Sequence, residues 1–106
     1  EIAPGISLHR VGGHSRGLQI VRVNTERGPV VLAGDASHYY EHIENDRAFA
    51  VFENLSDLLE GYRTIERLAP SMQHIVPGHD PDVFNRYPAA SGMDGWAVRL
   101  DLAPVK

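Results

Sequence analysis

Apolar and polar residues alternate over residues 6–11 (Ile-Ser-Leu-His-Arg-Val), the two-residue period of a short strand. Gly12-Gly13 breaks it. Gly13-His14-Ser15-Arg16-Gly17 reads as a loop able to bring backbone close to a ligand; without a Gly-Lys-Ser/Thr end it is not a phosphate-binding loop. Residues 18–24, rich in β-branched side chains, form a second strand, and Thr25-Glu26-Arg27-Gly28 forms a turn with glycine where a positive φ is needed. Pro29 opens a third strand, where a missing N–H costs least. Residues 30–33 are uninterruptedly apolar, which suits a strand covered on both faces in a layered sandwich with helices outside. The second and third strands together read as a hairpin.

Beyond the hairpin the period changes. Residues 38–44 look helical, Asn45-Asp46 interrupt, and residues 48–52 are an apolar patch of no definite period. The clearest helix runs over residues 56–68, with Ser56 as N-cap and Asp57 at the positive end of the helix dipole. Leu58, Leu59, Tyr62, Ile65 and Leu68 share its buried face, and Glu60, Arg63, Glu66 and Arg67 its wet one. Pro70 stops it. Residues 72–76 form a short strand ended by Pro77-Gly78. Residues 81–86 make about one helical turn, 87–95 a loop, and 96–102 alternate as a final strand or as pairing material for a partner.

The 106 residues suffice for one domain and not for two ordinary ones. No apolar stretch approaches the roughly 20 residues of a membrane span, and the first residues have neither the basic region nor the apolar run of a signal peptide. The absence of cysteine excludes disulfides and thiolate metal sites and fits a cytoplasmic protein. A net charge of −4 and a single lysine, Lys106, leave no basic stripe for nucleic acid.

The chemistry then rests on histidine and carboxylate. The strand Val30-Val31-Leu32-Ala33 ends in Gly34-Asp35-Ala36-Ser37-His38, and two further segments lead through glycine to a potential ligand: Gly12-Gly13-His14 and Pro77-Gly78-His79-Asp80. In a chain without cysteine, zinc is held by imidazole and carboxylate, and ligands at strand ends converge because the sheet holds those ends together. His14, Asp35 and His79 are thus candidate metal ligands, with Asp35 able to bridge two ions through its two oxygens. A pair of ions about 3.5–4 Å apart activates one water and polarises a carbonyl. The plainer alternatives stand beside this: an Asp after a buried strand often caps a helix or forms a turn, and Pro77-Gly78-His79-Asp80 also reads as a turn. His9 is expected on the solvent face of its strand, His74 in a structural role, Arg16 in solvent. His38 and His42, four residues apart, share one side of a helix. Tyr39 and Tyr40 more often pack than react, and Tyr62 and Trp96 are expected to pack.

The three motifs taken together, Gly13-His14-Ser15-Arg16-Gly17, Gly28-Pro29-Val30-Val31-Leu32-Ala33-Gly34-Asp35-Ala36-Ser37 and Pro77-Gly78-His79-Asp80, resemble in order and separation the C-terminal half of the metallo-β-lactamase superfamily, and within it the N-acyl homoserine lactonase group. The resemblance implies an α/β fold, half of an αββα sandwich with a mixed sheet and outer helices. It implies two divalent metal ions, usually zinc, with His14 on the first, Asp35 bridging and His79 on the second. It also implies a hydrolase that opens a lactone by attack of metal-bound hydroxide. Where such lactonases place a tyrosine that contacts substrate, three residues after the bridging Asp, this chain has His38, followed by Tyr39. His38 is therefore the expected catalytic partner of Asp35, and His38 with Tyr39 the expected substrate contacts.

Residues 1–13 contain no His-x-His-x-Asp-His motif, which the superfamily carries upstream. The expectation is that residues 1–106 are a partial domain, inactive alone. A missing N-terminal half, a second chain or a second copy of this one would cover the exposed sheet. The alternatives are another hydrolase of the superfamily, acting on a thioester or a β-lactam, and a non-catalytic half-domain used for assembly. No membrane or nucleic-acid partner is expected.

Overall fold

The structure is a computed structural model, and it describes residues 1–105. Its centre is a four-stranded sheet in the order β1 (Ile6–Arg10), β2 (Gln19–Thr25), β3 (Gly28–Gly34), β4 (Ile75–Pro77). β1, β2 and β3 are antiparallel and β4 joins β3 in parallel, so the sheet is mixed. The β2–β3 hairpin turns at Glu26-Arg27, with Thr25 opposite Gly28 and Gly28 at φ +106°. Three helices follow the hairpin: α1 (Tyr40–Glu44), α2 (Leu55–Leu68) and α3 (Val83–Arg86).

β3 is covered on both sides, as its unbroken apolar run requires. Val31 and Ala33, with Ile20 of β2 and Ile75 of β4, pack under Leu58, Tyr62 and Ile65 of α2 and Ile43 of α1. The alternate residues Val30 and Leu32, with Val76, pack against Val83, Tyr87, Val98 and Leu100. Fully burying Leu58 or Ile65 contributes about 1.5–3 kcal/mol each. Tyr62 also sits in this core. Its hydroxyl donates to the Arg47 carbonyl at 2.7 Å, and burial pushes its pKa up to about 12.

Several boundaries differ from the sequence pattern for identifiable reasons. α2 is capped by Asn54, whose Oδ1 accepts from Asp57 N at 2.9 Å, not by Ser56. The Gly13 carbonyl accepts both Glu53 N and Asn54 N, which fixes the chain just before Leu55 and leaves Ser56 in the first turn. Asn54→Ala is expected to destabilise the protein by about 1 kcal/mol, read as a lower urea midpoint at unchanged slope. α1 starts at Tyr40 rather than residue 38 because the carbonyls of Ser37 and His38 pair with Gly78 N and His79 N. Residues 72–74 form a 3-10 turn, held by His74 between Ser71 Oγ and the Arg27 carbonyl, and only then does β4 begin.

Residues 96–102 are not a strand. A single bridge joins Ala89 to Val98, Arg99 N donates to the Pro88 carbonyl, and only Val98 and Leu100 are packed. Trp96, expected to pack, is 84% exposed. In β1 the faces are inverted: Leu8 is exposed, while His9 is half-buried with Nε2 2.8 Å from Ser7 Oγ. This far end of the chain is tied to the hairpin turn by Arg27, which donates to the carbonyls of Leu100 and Gln73 and to the Tyr87 hydroxyl. Among the described residues no helix is long and apolar enough to cross a membrane.

Candidate metal centre

The C-terminal ends of β3 and β4 lie side by side, and the loops that leave them are joined by backbone hydrogen bonds from Gly78 N to the Ser37 carbonyl (3.0 Å) and from His79 N to the His38 carbonyl (2.9 Å). This pairing requires glycine at 78. A Cβ there would stand 2.4 Å from the Gly34 carbonyl oxygen. Asp80 adds a second tie, its two oxygens accepting Tyr40 N (3.1 Å) and Asp82 N (2.9 Å). Its role is to hold the two loops together.

The third segment arrives on glycine as well. Gly13, at φ +92°, lies so close to α2 that a Cβ would be 2.6 Å from Leu58 Cα. That docking sets His14 at the rim of the same corner. His14 Nδ1 donates to the Val51 carbonyl at 2.9 Å, which fixes the orientation of the ring and turns Nε2 toward Asp35.

Four of the five candidate residues therefore meet at one carboxylate. Asp35 Oδ1 is 2.7 Å from His79 Nε2 and 3.5 Å from His38 Nε2, and Oδ2 is 3.4 Å from His14 Nε2. The two oxygens face different imidazoles. The fifth candidate, Tyr39, lies beside this group with its exposed ring edge-on to His42 at 5.3 Å. The hydrogen bond from His79, with the charges of His14 and His38 adding to it, holds the Asp35 carboxyl below its ordinary pKa. Burial, reinforced by His79, lowers that of His38.

The donor set fits a divalent ion. Asp35, His38 and His79 each offer a ligand atom, all within 4.8 Å of one another, and imidazole with carboxylate is the combination zinc accepts when thiolate is absent. His38 Nε2 is moreover buried without a hydrogen-bond partner. An ion taking the same atoms would replace the proton now on His79 Nε2.

Two contributors gave no signal in the sequence beyond an apolar patch of undefined period. Phe49 stacks on His38 (3.9 Å between centroids) and His42 (5.0 Å), and Val51 supplies the carbonyl that orients His14. Neither contact has a periodicity to reveal it.

No protein-family model matches the chain. It is 36% identical over 81 residues to an N-acyl homoserine lactonase of a Bacillus species, a match that covers 76% of this chain and 32% of that protein. The N-acyl homoserine lactonase AiiA of Bacillus thuringiensis subsp. kurstaki gives the same identity over the same length. Among solved structures, an N-acyl homoserine lactone hydrolase with the product N-hexanoyl-L-homoserine bound at its catalytic metal center superposes with a TM-score of 0.70 at 30% identity, over 80% of this chain and 34% of that one. The chain thus spans about a third of the length of the curated relatives it matches.

Proposed function

We propose, from the premise that this chain is a relative of N-acyl homoserine lactonases and shares the metallo-β-lactamase fold of their structures, that it forms the C-terminal part of a dinuclear metal-dependent hydrolase opening a lactone of the N-acyl homoserine type. The observation that carries this reading is the single carboxylate of Asp35 with imidazoles on both of its oxygens. In this reading His14, Asp35 and His79 would hold two metal ions, zinc by their donor chemistry, with Asp35 the residue that would serve both. The remaining ligands come from outside residues 1–106, from an N-terminal part or a second chain, and a cytoplasmic location goes with the same reading.

Bound ions of this kind supply a nucleophilic water at neutral pH and positive charge against the oxyanion of the opening ring. The residues of this chain do the rest. His14, its Nδ1 anchored on Val51, presents Nε2 in a fixed direction. Gly78 and Asp80 keep His79 against Asp35. Phe49 covers one face of the His38 ring and keeps water from it. Substrate contact falls to the His38–Tyr39 pair, which stands where the lactonase group has its tyrosine. Tyr39, the more exposed of the two, offers a hydroxyl to the lactone carbonyl or to the departing ring oxygen.

The test is a substrate comparison with the full-length protein loaded with zinc. Turnover of an N-acyl homoserine lactone is expected to exceed that of a glutathione thioester and of a β-lactam by at least about tenfold in kcat/KM, a difference of roughly 1.4 kcal/mol in transition-state binding. A zinc-loaded protein that favours the thioester or the β-lactam, or that turns over none of the three, overturns the assignment.

A further inference from the structure

We propose that His38 is itself a metal ligand, so that Asp35, His38 and His79 form a three-donor site contained within this chain. The inference rests on the dinuclear reading above and divides the labour of the His38–Tyr39 pair: His38 serves the metal, and Tyr39 the substrate.

The position of Nε2 carries the argument. A group that donates to a substrate has to reach the open side of the site. His38 Nε2 does not: it is buried, and the His38 side chain is only 16% exposed. It faces inward, 3.5 Å from Asp35 Oδ1, without making a hydrogen bond to it or to any other group. A buried polar atom left unsatisfied costs about 1–3 kcal/mol, and such atoms call for a partner of their own, an ion among them.

The spacing suits an ion shared with the neighbours. Nitrogen ligands lie about 2.0–2.1 Å from zinc, which in a tetrahedral arrangement separates two donors by roughly 3.3 Å. Around Asp35 Oδ1 the observed separations are 2.7 Å to His79 and 3.5 Å to His38, and all three donors fall within 4.8 Å of one another. His14 is not part of this group; it stands on Oδ2, the other side of the carboxylate.

The His38 ring is also held. It lies between Phe49, stacked at 3.9 Å, and His79 at 4.1 Å, and its own carbonyl is engaged by His79 N. Ligands locked by packing and by supporting hydrogen bonds are those that bind metal tightly. Tyrosine at this position could offer only a phenol, a far weaker ligand at neutral pH. The substitution therefore changes the coordination of one ion rather than the identity of a substrate donor.

The test compares full-length wild type with His38→Phe and His38→Gln by chelator competition with zinc and by the visible absorption of the cobalt(II)-loaded protein. Loss of a ligand is expected to weaken one of two metals by about 100-fold or more, at or beyond the upper end of what losing a supporting partner outside the coordination sphere costs, and to change the cobalt spectrum. Unchanged metal affinity and an unchanged spectrum, with kcat alone reduced, overturn the proposal and return His38 to the substrate. Should both variants fail to fold, nitrogen-15 histidine NMR of the wild type decides: on zinc addition the Nε2 resonance of His38 must move as that of His79 does, and a stationary His38 signal overturns the proposal. A wild type that binds no metal at all fails the dinuclear reading itself, whereas two bound metals indifferent to His38 fail this inference alone.

Discussion

Asp35→Ala in the full-length protein is expected to abolish lactone hydrolysis and to lower the bound metal from two ions to one or none. Three imidazoles converge on this one side chain, and no other described carboxylate is grouped with them as a metal donor. In the proposed dinuclear site, removing it would delete a donor to both ions and leave His14, His38 and His79 facing a gap. The metal loss is expected to exceed the roughly 10–100-fold that follows when only a supporting hydrogen bond is removed. Elemental analysis after dialysis and kcat/KM on the lactone give the two readouts. Full metal content together with wild-type hydrolysis would show that Asp35 is a turn former, the plainer role its sequence position also allows.

Gly78→Ala is expected to have the second largest effect, through geometry alone. The residue is not in a left-handed conformation; what it cannot tolerate is volume, because the Gly34 carbonyl oxygen lies 2.4 Å from where the new Cβ would be. Backbone faces backbone at this point, and no flexible side chain can give way. The ends of β3 and β4 must separate, costing about 1–3 kcal/mol as other overpacked sites do, and His79 is carried away from Asp35. A urea titration with and without zinc separates the two consequences: stability falls in both, and the increment added by zinc shrinks. An unaltered zinc increment would mean that the Gly34–Gly78 contact does not set the position of His79.

Much of the fold was legible because burial leaves a pattern. The unbroken run Val30-Val31-Leu32-Ala33 announced a strand covered on both faces, and Leu58, Tyr62 and Ile65 announced the inner face of α2; both are as the run and the spacing require. Residues 96–102 misled for the same reason. Their alternation is real, but it records two packed side chains, Val98 and Leu100, on a segment that meets residues 88–90 at a single bridge. His38 is expected beside Asp35 only through the family resemblance, as its catalytic partner and a substrate contact, whereas the convergence of His14 and His79 on Asp35 could be suggested from glycine-flanked motifs, since glycine marks where backbones approach closely. The hydrogen bond from His14 to Val51, across 37 residues, and the stacking of Phe49 on His38 could not. Such contacts obey no period; they exist only once the chain is folded.

Arg27 has a further consequence for the order in which the molecule is assembled. Its three hydrogen bonds span 46, 60 and 73 residues, whereas the hairpin on which it sits closes through two. Closing a longer loop costs more, by about 0.6 kcal/mol for each doubling, and long-range contacts slow folding because that entropy is lost before they form. The hairpin is therefore expected to form before Arg27 collects its partners. The segment around Leu100, gathered by a side chain presented from the β2–β3 turn, is expected to join the fold late, so that the Arg27 clasp marks completion of folding rather than its start.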